Sequence, residues 1–220
     1  MTRRLFDIAC ASLGLLISLP LLLLAALAIK LSSRGPVFHV AQRAGLNGVA
    51  FNMYKLRTMH VSQGGSVITA TNDRRVFPAG RYLRLLKIDE LPQLWNVLRG
   101  DMAIVGPRPE DPAIVEKYYK PWMLETLAVR PGLTSSGTQF FYAHADARID
   151  DADPVGSYVS RLLEEKLAID MAQINRNGVL SDAACVLRTF AVVILHAFGV
   201  VLDAPRKDID AAKHYVRGMT

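Results

Sequence analysis

The sequence predicts an α+β protein in which a membrane-inserted N-terminal helix precedes a small mixed domain with a β-hairpin and amphipathic interfacial helices. Three observations predict this fold class: a long uncharged segment near the N-terminus, two β-prone runs joined by Asn-Gly, and amphipathic helical patterns further along. Hydrophobic residues make up 51% of the 220 residues and charged residues 21%, which excludes an intrinsically disordered chain.

The composition narrows the classes of function. With 26 Lys and Arg against 20 Asp and Glu, the net charge of +6 suits an anionic partner such as a phosphate, a nucleic acid or an acidic lipid surface. Two cysteines outside any CxxC pair and five scattered histidines indicate neither a disulfide framework nor a zinc or iron centre. Nucleotide-binding glycine motifs and a GxSxG elbow are absent, and no basic helix or aromatic platform favours nucleic acid.

The first element is a membrane segment from Ile8 to Ile29, whose 22 uncharged residues would form a helix of about 33 Å. Pro20 lies in its middle, so we expect the helix to break there. Two basic residues precede the segment and three follow it, a balance that does not place its ends on opposite sides of the membrane. A re-entrant hairpin and a single kinked span are both compatible with these features.

The next element is a predicted hairpin, with strands at 37–44 and 49–58 around Asn47-Gly48. Alternation along the second strand puts Lys55 and Arg57 on one face, about 7 Å apart, where the two cations could bind a phosphate. Basic residues also protect a solvated strand edge, and spacing alone favours that simpler role.

A helical pattern with Arg81 and Arg84 on one face leads into the segment 88–98. There Asp89 is predicted to cap a helix whose first turn contains Pro92, so that Asp89 and Glu90 both lie at its positive end. Neighbouring helical residues point about 100° apart, so the two carboxyl groups would have separate roles rather than share a proton. An acidic cap that only stabilises the helix is the commoner arrangement.

Beyond residue 100 the pattern gives a short strand ending in Gly106-Pro107-Arg108-Pro109, where two prolines stiffen the backbone around Arg108. A guanidinium held in this way loses little entropy on binding a phosphate, although a Pro-rich turn with a solvated Arg is equally compatible with the residues. Further features are a helical stretch over 111–127, a similar loop at Arg130, a segment over 134–153 with little pattern, an amphipathic helix over 155–177, and an apolar stretch over 186–202. The last is too short and polar for a comfortable span, and it is expected to lie at the interface, to pack on the first apolar segment or to be a core helix.

Together these segments resemble the bacterial sugar transferase family, the small monotopic polyprenyl-phosphate phosphoglycosyl transferases. The resemblance covers residues 1 to about 135 and is carried, in the family's order, by GPVFHVAQRAGLNGVAFNMYKLRTM, RYLRLLKIDELPQLWNVLRGDMAIVGPRPE and VRPGLT. It implies transfer of a phosphosugar from a UDP-sugar to a polyprenyl phosphate such as undecaprenyl phosphate, with release of UMP, at the start of exopolysaccharide or lipopolysaccharide assembly. It also implies a re-entrant N-terminal helix and a requirement for Mg²⁺.

On this chain, the resemblance makes Asp89 the nucleophile that attacks the β-phosphorus of the donor and a ligand of Mg²⁺, and makes Glu90 an assisting base. The residues expected to bind the substrates are Lys55, Arg57, Arg84, Arg108, Pro109 and Arg130.

The expected organisation is a membrane helix over 1–34, a catalytic domain over 35–202 and a tail over 203–220. Because UDP-sugars are cytosolic, we expect the catalytic domain on the cytoplasmic face of the bacterial inner membrane. A homodimer is compatible with the sequence and is not required by it.

The chain departs from the family pattern in two places. Leu19 separates Ser18 from Pro20, where many relatives have Ser directly before Pro, and the segment after Thr134 reads SSGTQFFYAHADARID rather than a TGxxQxxGR-like stretch. The second departure motivates an alternative function, a catalytically degenerate, membrane-anchored scaffold of a polysaccharide-assembly machinery.

Overall fold

The computed structural model describes residues 2–61, 68, 73–176 and 178–216. The helices are α1 Thr2–Ser32, α2 Pro78–Leu85, α3 Gln93–Arg99, α4 Pro112–Tyr118, α5 Pro121–Leu124, α6 Ser136–Arg148, α7 Pro154–Tyr158, α8 Glu164–Ile174, α9 Val179–Ala197 and α10 Arg206–Ala212. The strands are β1 Phe38–Ala44, β2 Ala50–Leu56, β3 Ala103–Val105 and β4 Gly132–Thr134. The predicted loop over 60–79 lies largely outside the described residues.

The N-terminal helix is continuous, and the prediction that it breaks at Pro20 was wrong. Helix α1 runs from Thr2 to Ser32 with Pro20 inside it. Proline removes one backbone donor, but the turns on either side of it remain helical, so the loss of a single hydrogen bond does not end the helix. Judged by length and composition alone, α1 and α9 are both long and apolar enough to cross a membrane.

Both ends of α1 are bonded to the rest of the protein. Near its start, Arg3 forms an ion pair with Asp182 on α9, with Nε 2.7 Å from Oδ2, and Asp7 accepts a hydrogen bond of 3.0 Å from the backbone N–H of Ile104. Just after its end, the Ser33 hydroxyl and carbonyl accept hydrogen bonds from Arg57 on the segment that follows β2. The helix is therefore an integral part of the folded domain.

Strands β1 and β2 form the predicted antiparallel hairpin, with Phe38 opposite Leu56 and Ala44 opposite Ala50. Asn47 in the connecting turn has a φ of 56°, a left-handed conformation that Asn adopts more readily than most residues. Asn96 on α3 joins this hairpin to the next helix. Its amide donates to Asn52 O at 2.8 Å and accepts from Tyr54 N at 3.1 Å, which fixes α3 against β2.

Strands β3 and β4 pair in parallel, so the described part of the chain contains two small two-stranded sheets among mostly helical segments. A mixed α+β architecture with a β-hairpin is thereby confirmed. The predicted strand before Arg108 corresponds to β3, and the helical stretch predicted over 111–127 is divided into α4, α5 and a 3-10 turn, because Pro121 starts a new helix.

Helix α6 occupies the segment over 134–153 in which the sequence showed little pattern. The Ser135 hydroxyl caps its start by accepting from the backbone N–H of Thr138. The sequence failed to indicate this helix because its first turn buries small polar residues, which give no apolar periodicity. The helix predicted over 155–177 is present as α7 and α8, joined by a π-helical turn over Val159–Leu163.

Candidate active site

A cavity of about 1080 Å³ opens between the hairpin, α2 and the loop after β3. Its wall combines apolar side chains from β1 with a cluster of charged groups. The sequence-predicted residues that line it are Lys55, Arg57, Arg84, Asp89, Glu90, Arg108 and Pro109. Seven of the eight predicted site residues therefore share one cavity.

The two acidic residues lie on a 3-10 turn, Ile88–Glu90, and not at the start of α3. Helix α3 begins at Gln93 and is preceded by Pro92, and its end receives no side-chain cap. The prediction that Asp89 is a helix cap was therefore wrong. The 3-10 turn follows Lys87, whose φ of 55° turns the chain sharply and directs both carboxyl groups inward.

Glu90 forms a bidentate ion pair with Arg108. Nη1 of Arg108 lies 3.0 Å from Oε2 and Nη2 lies 2.5 Å from Oε1, while Lys55 Nζ lies 3.5 Å from Oε1. Burial by itself raises the pKa of the Glu90 carboxyl, but Arg108 and Lys55 outweigh it and hold the pKa well below its usual range. Glu90 is therefore an ionised carboxylate that holds two cations in place.

Asp89 has a different environment. Its Oδ1 atom is buried and accepts no hydrogen bond from the described residues. Desolvation by burial, followed by the charge of Glu90, raises the pKa of the Asp89 carboxyl, and Lys55 and Lys87 only partly offset this. The predicted position of Asp89 at the positive end of α3 therefore offers no counterweight, since the group lies on a separate turn. Two adjacent carboxyl groups nevertheless have pKa values that shift in opposite directions.

Lys55 and Arg57 do not form the joint phosphate site that their spacing suggested. Lys55 faces Glu90, whereas the Arg57 guanidinium uses four of its five N–H donors on Ser33, Pro36 and Met59. Arg57 is 5% exposed and forms a clamp between the hairpin and the end of α1. Arg57 also lies on the cavity wall, but most of its donors are already used within the described part of the chain.

Arg130 lies away from the other predicted residues. It lines a separate cavity of about 410 Å³ near the start of α1, where its Nε donates to Gly100 O at 2.9 Å. Arg84 and Pro109, by contrast, line the first cavity together with Asp89, and the positive charge of Arg84 acts to lower the pKa of Asp89.

The structure adds cavity residues that the sequence did not indicate. Lys87 places its Nζ 3.9 Å from the ring centroid of Tyr142, a residue of the unanticipated helix α6. Beside them, Lys166 donates to Glu110 at 2.9 Å and to the Tyr158 hydroxyl at 2.6 Å, and that hydroxyl also contacts Glu110. Glu110 directly follows Pro109, so this buried network anchors the loop that carries Arg108.

The residues present fit a Mg²⁺ ion that is shared with a substrate. The described residues contain no group of three or more His, Cys, Asp or Glu side chains that could hold a metal by themselves. Mg²⁺ commonly uses one or two carboxylates together with substrate phosphates. Asp89, whose buried Oδ1 has no partner among the described residues, is the carboxylate available for such a site, because Glu90 is engaged by Arg108.

Comparison with known proteins identifies similar chains. A UDP-glucose:undecaprenyl-phosphate glucose-1-phosphate transferase from Caulobacter vibrioides is 41% identical over 192 residues, which cover 85% of this chain and 67% of that protein. The exopolysaccharide production protein ExoY from Rhizobium meliloti is 34% identical over 216 residues, covering 89% and 86%.

A third relative, an undecaprenyl-phosphate glucose phosphotransferase from Komagataeibacter xylinus, is 50% identical over 113 residues, which span 50% of this chain and only 21% of that protein. The family model of the bacterial sugar transferases matches residues 1–196. The match includes helix α1 and every residue of the candidate site. The chain therefore belongs to the bacterial sugar transferase family.

Proposed function

We propose that this chain transfers a phosphosugar from a UDP-sugar to a polyprenyl phosphate, such as undecaprenyl phosphate, and releases UMP. The observation that carries the proposal is the buried Asp89 carboxyl oxygen without a partner among the described residues, in a cavity lined by Lys55, Arg84 and Lys87 and next to the ion-paired Glu90. An anionic diphosphate suits these cations, and a carboxylate is an established type of nucleophile in covalent catalysis. The names of the relatives support the same donor and acceptor.

In the proposed first step, an Asp89 oxygen attacks the β-phosphorus of the donor. The bond from the β-phosphorus to the bridging oxygen breaks, UMP leaves, and a phosphosugar remains esterified to Asp89. In the second step, a phosphate oxygen of the polyprenyl acceptor attacks the same phosphorus and displaces the Asp89 carboxylate. The product is a polyprenyl diphosphosugar, and the covalent intermediate lets a soluble donor and a lipid acceptor use one site in turn.

Glu90 acts in this scheme mainly by holding Arg108 and Lys55 where the phosphates bind. A carboxylate whose pKa is held low by ion pairs is a weak general base. The acceptor needs little help from a base, because a phosphate monoester loses its second proton near pH 6. Glu90 would accept the remaining proton in the fraction of acceptor that is still protonated.

Mg²⁺, held by Asp89 and the donor's phosphates, would neutralise part of the diphosphate charge. The protein's own cations contribute to the same end, since Arg84 and Lys87 make no hydrogen bond or ion pair with the described residues and are available to the donor. Removal of divalent cations with EDTA should abolish turnover, and Mg²⁺ should restore it.

The proposed location is the cytoplasmic face of the inner membrane, with both ends of α1 on that side, so that the continuous helix bends at Pro20 rather than spanning the bilayer. Support comes from the contacts of the helix ends: Arg3 pairs with Asp182 and Ser33 binds Arg57, so both ends are bonded to the same domain. This arrangement keeps the cavity near the depth at which a polyprenyl phosphate headgroup lies. The acceptor can then react without leaving the bilayer.

The purified protein should release UMP when it is incubated with undecaprenyl phosphate, Mg²⁺ and a panel of UDP-sugars. Asp89→Asn should lower this rate by about a thousandfold or more, because the amide is a poor nucleophile. Asp210→Asn, at an exposed position of α10, is the matched control and should retain the wild-type rate. Full activity in Asp89→Asn would reject the assignment of the nucleophile.

A donor labelled in its β-phosphate should leave label on Asp89 when the acceptor is omitted, and peptide mass spectrometry would locate it. Product formation without any adduct at Asp89 would overturn the two-step scheme. A folded protein that binds UDP-sugars and releases no UMP across the panel would instead support the scaffold function that the altered segment after Thr134 suggests.

A further inference from the structure

Lys87 has a backbone conformation that is uncommon for its residue type. Its φ of 55° lies in the left-handed region, two residues before Asp89. Residues with a Cβ atom are strained in this region, and such strain persists where the surrounding structure enforces it, often at functional sites. A glycine or asparagine would form the same turn with less strain, so the turn by itself does not account for a lysine.

The Lys87 side chain reaches into the cavity without satisfying its donors. Its Nζ lies 3.9 Å from the centroid of the Tyr142 ring and makes no hydrogen bond or ion pair with the residues that the structure describes. Three other cations of the cavity are already engaged, Lys55 and Arg108 by Glu90 and Arg57 by the end of α1, whereas Arg84 has no such partner among the described residues. The ammonium of Lys87 therefore has three donors available for an incoming anion.

We propose that Lys87 binds the diphosphate group of the nucleotide donor, with the face of Tyr142 holding its ammonium in position. This inference rests on the proposed function and adds a specific donor contact to it. A nucleoside diphosphate is the ligand class that fits, because the ammonium borders the same cavity as Asp89, whose carboxyl must approach a phosphorus. Tyr142 contributes its π-face, which attracts a cation independently of its hydroxyl group.

Titration calorimetry on the full-length protein, in detergent and with Mg²⁺ present, tests the proposal by measuring the binding of three probes. The probes are UDP, uridine and inorganic diphosphate. Lys87→Met should weaken UDP binding about ten- to a hundredfold, the range for a lost charged hydrogen bond, and should leave uridine binding unchanged. Lys87→Arg should restore UDP affinity to within about threefold of wild type, because it keeps the charge.

Lys87→Asn separates the roles of the side chain and the backbone. Asn tolerates the left-handed conformation, so this variant should keep or raise the thermal midpoint while it loses UDP affinity to the same extent as Lys87→Met. Tyr142→Leu should weaken UDP binding about three- to thirtyfold, whereas Tyr142→Phe should retain it. Lys117→Met is the matched control, since it removes a lysine from the face of Tyr118 at 5.1 Å outside the cavity.

The outcomes separate this inference from the proposed function. Unchanged UDP affinity in folded Lys87→Met and Lys87→Asn would overturn the inference even if UMP release is observed in the wild type. Equal losses for UDP and uridine would mean that Lys87 only shapes the cavity, and would also overturn it. Binding of inorganic diphosphate that depends on Lys87, without turnover of any donor, would support the anion site and count against the transferase. A wild type that binds neither UDP nor diphosphate would reject the inference.

Discussion

At the scale of single residues, burial and pairing decide the chemistry of the site. Asp89 and Glu90 are 7% exposed each, yet the pKa of one is raised and that of the other lowered. The difference arises because Arg108 lies against Glu90 and leaves Asp89 without a partner among the described residues. The sequence predicted separate roles for the two groups, but it placed Asp89 at the end of a helix, whereas the residue lies on a separate 3-10 turn.

The buried carboxyl group of Asp170 predicts how the free energy of unfolding depends on pH. Asp170 is 1% exposed, accepts one hydrogen bond from Gly137 N at 3.0 Å, and leaves Oδ2 without a partner among the described residues. Desolvation by burial raises its pKa to about 6 from the usual 3.8 of an aspartate. Between these two values the folded protein keeps the proton and the unfolded chain loses it, so the free energy of unfolding decreases as pH rises.

The expected decrease is about 1.4 kcal/mol for each pH unit between pH 4 and 6. Unfolding of the wild type and Asp170→Asn should be compared at pH 4.5 and 7, since Asn cannot titrate. The wild type should gain stability relative to the variant at the lower pH. Parallel pH profiles of the two proteins would contradict the raised pKa, and Asp210→Asn serves as an exposed control.

At the scale of elements, the approach of α2 to the end of the hairpin sets the position of the turn that carries Asp89. Helix α2 carries Arg84 and leads directly into Lys87 and Asp89. A Cβ atom added to Gly80 would lie 2.2 Å from the backbone oxygen of Thr58, closer than any real contact. Glycine at this position therefore lets α2 contact the segment that follows β2.

Gly80→Ala should displace α2 and lower the free energy of unfolding by about 1–3 kcal/mol, the usual effect of overpacking. Transferase activity should fall as well, because Arg84 and the turn that holds Asp89 move with the helix. Thermal unfolding and UMP release measure the two effects. Gly178→Ala is the matched control, since an added Cβ atom meets nothing within 4 Å there. Wild-type stability and rate in Gly80→Ala would contradict this account.

Helix α6 illustrates how an element can contribute to the site without a signal in the sequence. Its first turn packs polar groups in the interior, where Gly137 N donates to Asp170 and Ser136 N donates to Gln173. Further along the same helix, Tyr142 reaches the cavity. The partners of these groups come from α8, more than thirty residues away in the chain, so no local pattern could indicate them.

At the scale of the whole molecule, the contacts of α1 predict its topology. Single cysteines at exposed positions 2 and 32, in a background with Cys10 and Cys185 replaced by Ala, should both resist a membrane-impermeant maleimide added to spheroplasts. Both should react after lysis, because each end of α1 is bonded to the same domain. Labelling of position 2 alone in spheroplasts would show that the helix spans the membrane.

A cysteine at Asp210 in the same background reports the side on which the domain lies, since α10 is exposed at that position. It should follow the labelling pattern of positions 2 and 32. A reactive position 210 in intact spheroplasts would contradict the cytoplasmic orientation and would deny the site access to cytosolic UDP-sugars.

The sequence by itself determined the long apolar N-terminal segment, the hairpin and the family, and it singled out Asp89, Glu90 and Arg108 as candidates, because composition, a turn dipeptide and ordered motifs are local properties of the chain. Only the tertiary structure decided that α1 continues through Pro20, that Arg57 clamps the helix end, that Arg130 lies in another cavity, and that Lys87 and Tyr142 join the site. The physical reason is that burial and ion pairing depend on groups brought together from distant parts of the chain, and these interactions, rather than spacing, determine which charges remain available for chemistry.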